Sequence, residues 1–176
     1  MLEIILGCLV VVCIILLIFT IYNNKFQLAI IKIEKAEEDI SICLDKKKGF
    51  LERTKPIIMK ELKTDEFLPE LDGDFSRYNN FEAHNILKLV YNELFKTIDE
   101  NEKLLKSDSL VSILDFLNSN EEEIVGAIKF YNDTVVEFNR LVVTFPSSIV
   151  AFFKRYKKKE FYNNEKREIF EILNDK

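Results

Sequence analysis

Residues 4 to 22 read IILGCLVVVCIILLIFTIY, a run without a single charge. As an α-helix rising about 1.5 Å per residue it is about 28 Å long, close to the ~30 Å hydrocarbon thickness of a bilayer. Leu, Ile, Val and Phe fill most of it, each favouring insertion by roughly 0.3 to 0.6 kcal/mol near a helix centre, which outweighs Gly7 and Thr20. A cleaved secretory signal would need basic residues before the run and a small-residue pattern after it, and neither is present. Leu6-Gly7-Cys8 is similar to a lipoprotein cleavage site, but the apolar stretch follows that cysteine instead of preceding it. Residues 1–24 are therefore expected to be a membrane anchor that meets lipid through 4–22. No Lys or Arg precedes the run, whereas Lys25, Lys32 and Lys35 come after it, so the rest of the chain is expected on the cytosolic side.

Beyond the anchor the chain reads as helix. With four Gly and three Pro in 176 residues and 31% charge, the composition favours long helices over turn-rich β structure. An apolar stripe through Ile33, Ala36, Ile40, Cys43, Leu44, Phe50, Leu51, Ile57, Ile58 and Leu62 advances largely in three- and four-residue steps, with no evident break from the anchor. TDEFLPELDGD, with Pro69, Gly73 and several Asp, reads as a connector. A second stripe takes in Leu87, Val90, Tyr91, Leu94, Ile98 and Leu105, after which Ser107 or Asp108 offers an N-cap. The third helix is the most regular: Leu110, Leu117, Ile124, Tyr131, Phe138 and Phe145 recur every seven residues, beside Leu114, Glu121, Ile128, Val135 and Val142. This period predicts helices packed at a shallow angle in an antiparallel, coiled-coil-like bundle over residues 25–160. Pro146 ends the seam and opens a short helix in SSIVAFFKRY, and residues 161–176 form an amphipathic or frayed tail.

Few residues point to chemistry. The nucleotide-binding, zinc-protease and nucleophile-elbow motifs are all missing, and His84 is the single histidine, too few for a di-iron bundle. No catalytic, cofactor or metal residues are assigned. The three cysteines form no CxxC pair and imply neither a disulfide framework nor a zinc site. A net charge of -5 argues against nucleic acid as a partner. Glu121 lies on the seam, either reaching the bundle edge with Glu122 and Glu123 or buried as a register-fixing polar group. Asn132 and Asn139, one position past seam aromatics, are placed to bond across to a neighbouring helix or its backbone. Lys154, Arg155, Lys157, Lys158 and Lys159 stand among aromatics as a basic interaction patch. If three successive helices climb, return and climb again, that patch lies about 50 Å from the host membrane, facing cytosol, a partner or a second bilayer.

AIKFYNDTVVEFNRLVVTFPSSIVAFF, with Tyr131, Asn132, Asn139, Phe145, Pro146 and Ala151 in step, resembles the A-R-x-x-Y-N … y-N … F-P … A stretch of the LemA family of bacterial membrane proteins. LNSNEEEIVGA, which holds Glu121, is similar to that family's glutamate-containing helix, and AEEDISICLDKKKGFL matches a further segment at Ala36, Asp39, Ile40 and Leu44. Glu37 stands where the family has Trp, and Ile128 where it has Arg. The resemblance implies an all-α protein: an N-terminal transmembrane helix and an elongated antiparallel, up-and-down four-helix bundle. It marks Asp39, Leu44, Glu121, Tyr131, Asn132, Phe138, Asn139, Phe145 and Pro146 as structural motif residues. It implies no enzymatic activity and an association with the cell envelope.

These readings converge on a single-span protein of the cytoplasmic membrane whose cytosolic bundle is a non-enzymatic scaffold or adaptor for an unknown protein partner. The alternative is a regulatory or sensory component assisting a membrane protease or an envelope-stress system. An enzyme would need Glu121, Asp99, Glu102 and His84 gathered round a metal. A heptad seam can be satisfied within one chain or between chains, so a homo-oligomer stays open.

Overall fold

A computed structural model describes residues 1–162. Those residues form α1 (Leu2–Leu62), α2 (Asn80–Glu100), α3 (Asp108–Val143) and α4 (Ser147–Lys154), with 3-10 turns at Pro69–Asp72, Phe75–Arg77 and Glu102–Lys106 and no strand. The all-α class and the long apolar N-terminal helix are as expected. Of the expected tail, residues 163–176 lie outside the described residues. The chain divides into two compact units, one of Met1–Ala36 with the chain from Phe130 onward, the other of Glu37–Lys129.

In the Glu37–Lys129 unit, α1 buries Ile40, Cys43, Leu44, Leu51 and Ile58, α2 buries Leu87, Val90, Leu94 and Ile98, and α3 buries Leu110, Leu117 and Ile124. At these positions the 3.6-residue period turns one stripe of each helix inward. Lys47 and Thr54 are fully buried on the same α1 face. Helix α1 ends in a left-handed Lys63, with the Thr64 N–H bonded to the Met59 carbonyl at 3.2 Å. The connector then runs back along α1: Lys55 holds Asp72 at 2.8 Å, Lys48 covers the Phe75 ring at 4.6 Å, and the Asn80 amide donates to the Glu37 carbonyl at 2.9 Å. A reciprocal cap starts α2, in which the Asn79 side chain accepts from the Glu82 N–H at 2.9 Å and the Glu82 carboxylate accepts from the Asn79 N–H at 3.1 Å.

This return refines the expected up-and-down order. Helix α2 begins beside Glu37 and brings Tyr91 against Lys47, so it runs parallel to α1. Helix α3 runs antiparallel to α1, stacking Phe116 on Phe50 at 5.7 Å and setting Glu123 on Lys46 at 3.1 Å. Chain reach permits the return, because residues 63–79 can extend over roughly 55 Å while α1 from residue 37 to 62 rises only about 38 Å. Leu68 and Leu71 pin the connector into the core. Leu105 of the expected second stripe is exposed and Leu104 buried instead, since the 3-10 turn there has a three-residue period.

In the other unit α1 buries Phe26, Ala29, Ile33 and Ala36, and α3 buries Tyr131, Val135 and Phe138. Phe26 meets Phe138 edge to face at 5.6 Å and Lys32 pairs with Glu137 at 3.6 Å. Here the two helices are antiparallel again: Phe145 and Val150 lie beside Ile15, Ile18 and Phe19, whereas Glu137 lies beside Lys32. None of the most apolar 18-residue window of α1 is buried, and that helix is long and apolar enough to cross a membrane. Phe145, expected as a core member of the seam, is 77% exposed. Because α3 ends at Val143, just before the Phe-Pro step where α geometry is disfavoured, Phe145 leaves the heptad register. Helix α4 then departs at 92° to α3.

Candidate functional site

Three groups of polar side chains stand out among the described residues, two on the helices and one in the segment after α4. In the Glu37–Lys129 unit the fully buried Lys47 forms an ion pair with Glu121, whose side chain is 28% exposed. The Lys47 ammonium also lies 4.7 Å from the centre of the Tyr91 ring. Burial pulls Lys47 below the usual lysine range, and Glu121 opposes that shift. His84, half-buried on α2, is lowered by burial and then by the charge of Lys47, against a raising influence of Glu121. Tyr91 donates to the Asn118 side chain at 2.9 Å, and burial followed by the Glu121 charge raises its phenol. Asn120 donates to the Cys43 carbonyl at 3.0 Å across the α1–α3 contact. The Cys43 thiol is raised, first by burial and next by Glu123, which leaves it a weak nucleophile.

Glu121 thus lies between the two expected positions, half-buried at the bundle edge and ion-paired with the buried Lys47. Asp39 is exposed and Leu44 is buried on α1. Asp99 and Glu102, which an enzyme reading would join to Glu121 and His84, are exposed. Among the described residues no group of three or more His, Cys, Asp or Glu could hold a metal ion.

The second group is a ladder of asparagines on α3. Asn139 donates to the Lys159 carbonyl at 2.8 Å and accepts from the Lys159 N–H at 2.8 Å. Seven residues earlier, Asn132 accepts from the Tyr162 N–H at 2.8 Å, and Tyr131 donates to the Glu160 carbonyl at 3.2 Å. The partner is not a neighbouring helix or its backbone, as expected, but the backbone of the non-helical segment after α4. The spacing fits because seven helical residues rise about 10.5 Å, close to the ~10 Å covered by three extended ones. Asn132 and Asn139 are both buried, so their amides need these partners.

The third group is the basic segment. Helix α4 closes on a left-handed Arg155, with the Tyr156 N–H bonded to the Ala151 carbonyl at 2.9 Å. That turn sets Tyr156 against Phe26 at 4.8 Å, with Gln27 donating to its hydroxyl at 2.7 Å. Lys154, Arg155, Lys157 and Lys158 are exposed, and Lys159 is half-buried beneath the Asn139 clamp. The expected distance of about 50 Å between this patch and the anchor is overturned. Phe145, Pro146, Ile149 and Val150 line one apolar cleft of ≈ 200 Å³ with Ile15, Ile18 and Phe19. The cause is the direction of α3, which runs toward the apolar end of α1.

Sequence reasoning passed over Lys47, Asn120 and the connector leucines. Lys47 had a signal: 40, 43, 47, 51, 54 and 58 is an unbroken three-four progression, and tracing apolar residues alone skips its polar members. The family model of the LemA family matches residues 70–172, more than half of the chain. No curated protein and no solved structure matches.

Proposed function

Because the chain belongs to the LemA family and carries one helix long and apolar enough to cross a membrane, we propose that it is a single-span protein of the bacterial cytoplasmic membrane working as a non-enzymatic scaffold or adaptor. The soluble part faces the cytosol in this reading, as Lys25, Lys32 and Lys35 after the span favour. The observation that carries the reading is how the polar side chains are used. Lys47, Asn120, Asn132 and Asn139 each hold one stretch of the chain to another, an investment in a fixed shape for partners to recognise. Lipid is engaged through residues 4–22, a protein partner through the bundle, and nucleic acid is disfavoured by the net charge of -5.

Crosslinking in intact membranes followed by affinity recovery tests the proposal. A complex of fixed stoichiometry across growth conditions is expected. A second reading, a regulatory component assisting a membrane protease or envelope-stress system, draws on the unbroken α1, which joins the apolar segment to the packed helices in one element. Recovery of a protease or kinase only under stress would favour that reading. Turnover of a substrate by the purified protein would overturn both.

A further inference from the structure

We propose that α4 is a second membrane contact, lying in the plane of the leaflet beside the span, with its aromatic face in the acyl boundary and the basic residues after it on anionic lipid phosphates. The proposal rests on the reading that residues 4–22 span the bilayer.

Depth is the first argument. Ile15, Ile18 and Phe19 lie three to seven residues before Tyr22, about 4 to 10 Å inside the end of the uncharged run. Pro146, Ile149 and Val150 share a cleft with these side chains. They therefore sit where interfacial helices bury their apolar faces, about 5 to 10 Å into the boundary between headgroups and acyl chains. The end of the span is marked by Tyr22, with the Lys25 ammonium 5.1 Å from its ring centre, an arrangement typical of headgroup level.

Direction is the second. Near the anchor α3 runs antiparallel to α1, and α4 breaks from α3 by 92°. A helix perpendicular to one that follows the span runs along the bilayer surface.

The faces of α4 complete the case. Ser147, Val150 and Ala151 are buried. On α4, Ile149, Phe152 and Phe153 are 47%, 80% and 69% exposed at a helical spacing of three and four residues, and Phe145, in the turn just before it, is 77% exposed. Phe145, Phe152 and Phe153 stand uncovered among the described residues, and exposed side chains of the span adjoin Phe145 and Ile149. Lys154, Arg155, Lys157 and Lys158 come at once after Phe153, and from Thr144 to Lys159 there is no acid, in a chain of net charge -5. A local basic cluster beside an apolar stripe is the chemistry that recognises an anionic lipid surface.

The chain contains no tryptophan, so Phe152→Trp supplies a single reporter at an exposed site. The full-length variant is placed in vesicles of phosphatidylcholine with one quarter phosphatidylglycerol, and quenching by acyl-brominated lipid is compared with quenching by aqueous iodide. Strong bromolipid quenching and iodide protection of at least fivefold are expected, with bromolipid quenching falling at least threefold in Lys154→Glu/Lys157→Glu/Lys158→Glu. A reporter quenched by iodide alone overturns the proposal, and quenching indifferent to lipid charge or to the triple variant overturns its phosphate half. Leu9→Trp reports the span separately. If it is quenched by bromolipid while Phe152→Trp is not, only the α4 contact fails; if neither is quenched, the anchor reading fails with it.

Discussion

Lys47 and Glu121 show what a single residue contributes when it is placed on a core face. Lys47 is fully buried, while Glu121 keeps some access to water, so the two are not equivalent. Removing the carboxylate strands a buried ammonium; removing both charges replaces a desolvated pair with apolar packing. Glu121→Leu is expected to destabilise the protein by about 3 kcal/mol and Lys47→Met/Glu121→Leu to recover most of that loss. Thermal unfolding of the full chain in detergent, followed by circular dichroism, reads the difference. His84 and Lys47 also set a pH dependence. Both are bases whose folded pKa is lowered, so the cost of burying the charge is fully present below the folded value. It is relieved as pH rises toward the ordinary values of 6.5 for His84 and 10.5 for Lys47. The midpoint should therefore rise as pH approaches 6.5 from below, with a slope of at most about 1.4 kcal/mol per pH unit for one proton. Replacing His84 with Gln should flatten that slope, and an unchanged slope would place its origin elsewhere. Among the charges acting on His84, Lys47 and Lys88 lower it and Glu121 raises it. Glu121 was visible as a polar member of a heptad seam; Lys47 was not, because only the three-four arithmetic marks it.

At the scale of elements, period carried most of the information. The α3 seam from Leu110 to Phe138 is buried at every seventh residue, as its spacing predicts, because a repeat near 3.5 holds one stripe in place over many turns. Legibility fails where period fails. The connector has no repeat, so nothing in TDEFLPELDGD foretells that Leu68 and Leu71 are buried or that the chain retraces α1 and sets α2 parallel to it. Phe145 misleads for the opposite reason: it continues the spacing after the helix that gives the spacing meaning has ended. The segment after α4 is similarly aperiodic, and its order depends on the asparagine ladder. Asn139→Ala removes both bonds to Lys159, worth together about 1 to 3 kcal/mol. Tryptic cleavage at Lys157 to Lys159 should accelerate about tenfold in that variant while the helical signal is kept. An unchanged cleavage rate would mean that the remaining contacts, those of Tyr131, Asn132 and Tyr156 among them, hold the segment without Asn139.

For the whole molecule, the decisive question is which exposed apolar residues face lipid. Val12 and Ile31 are 52% and 59% exposed on the same helix, so exposure does not distinguish them. The sequence does: Val12 is near the middle of an uncharged run of membrane length, while Ile31 lies between Lys25 and Lys32. A lysine at the centre of a spanning helix costs roughly 2.5 to 3.5 kcal/mol of insertion, against a total on the order of 5 kcal/mol favouring this run. Val12→Lys alone should therefore remain in the membrane. Val12→Lys/Leu16→Lys, costing roughly 6 kcal/mol or more, should lose resistance to alkaline carbonate extraction. Ile31→Lys, a surface change away from lipid, should shift neither extraction nor stability by more than about 0.5 kcal/mol. Extraction of the double variant identical to that of the unaltered chain would mean that the first turns of α1 are not what holds the protein to the bilayer. The α4 contact would then have to suffice, although a short in-plane helix binds a surface reversibly where a spanning helix does not.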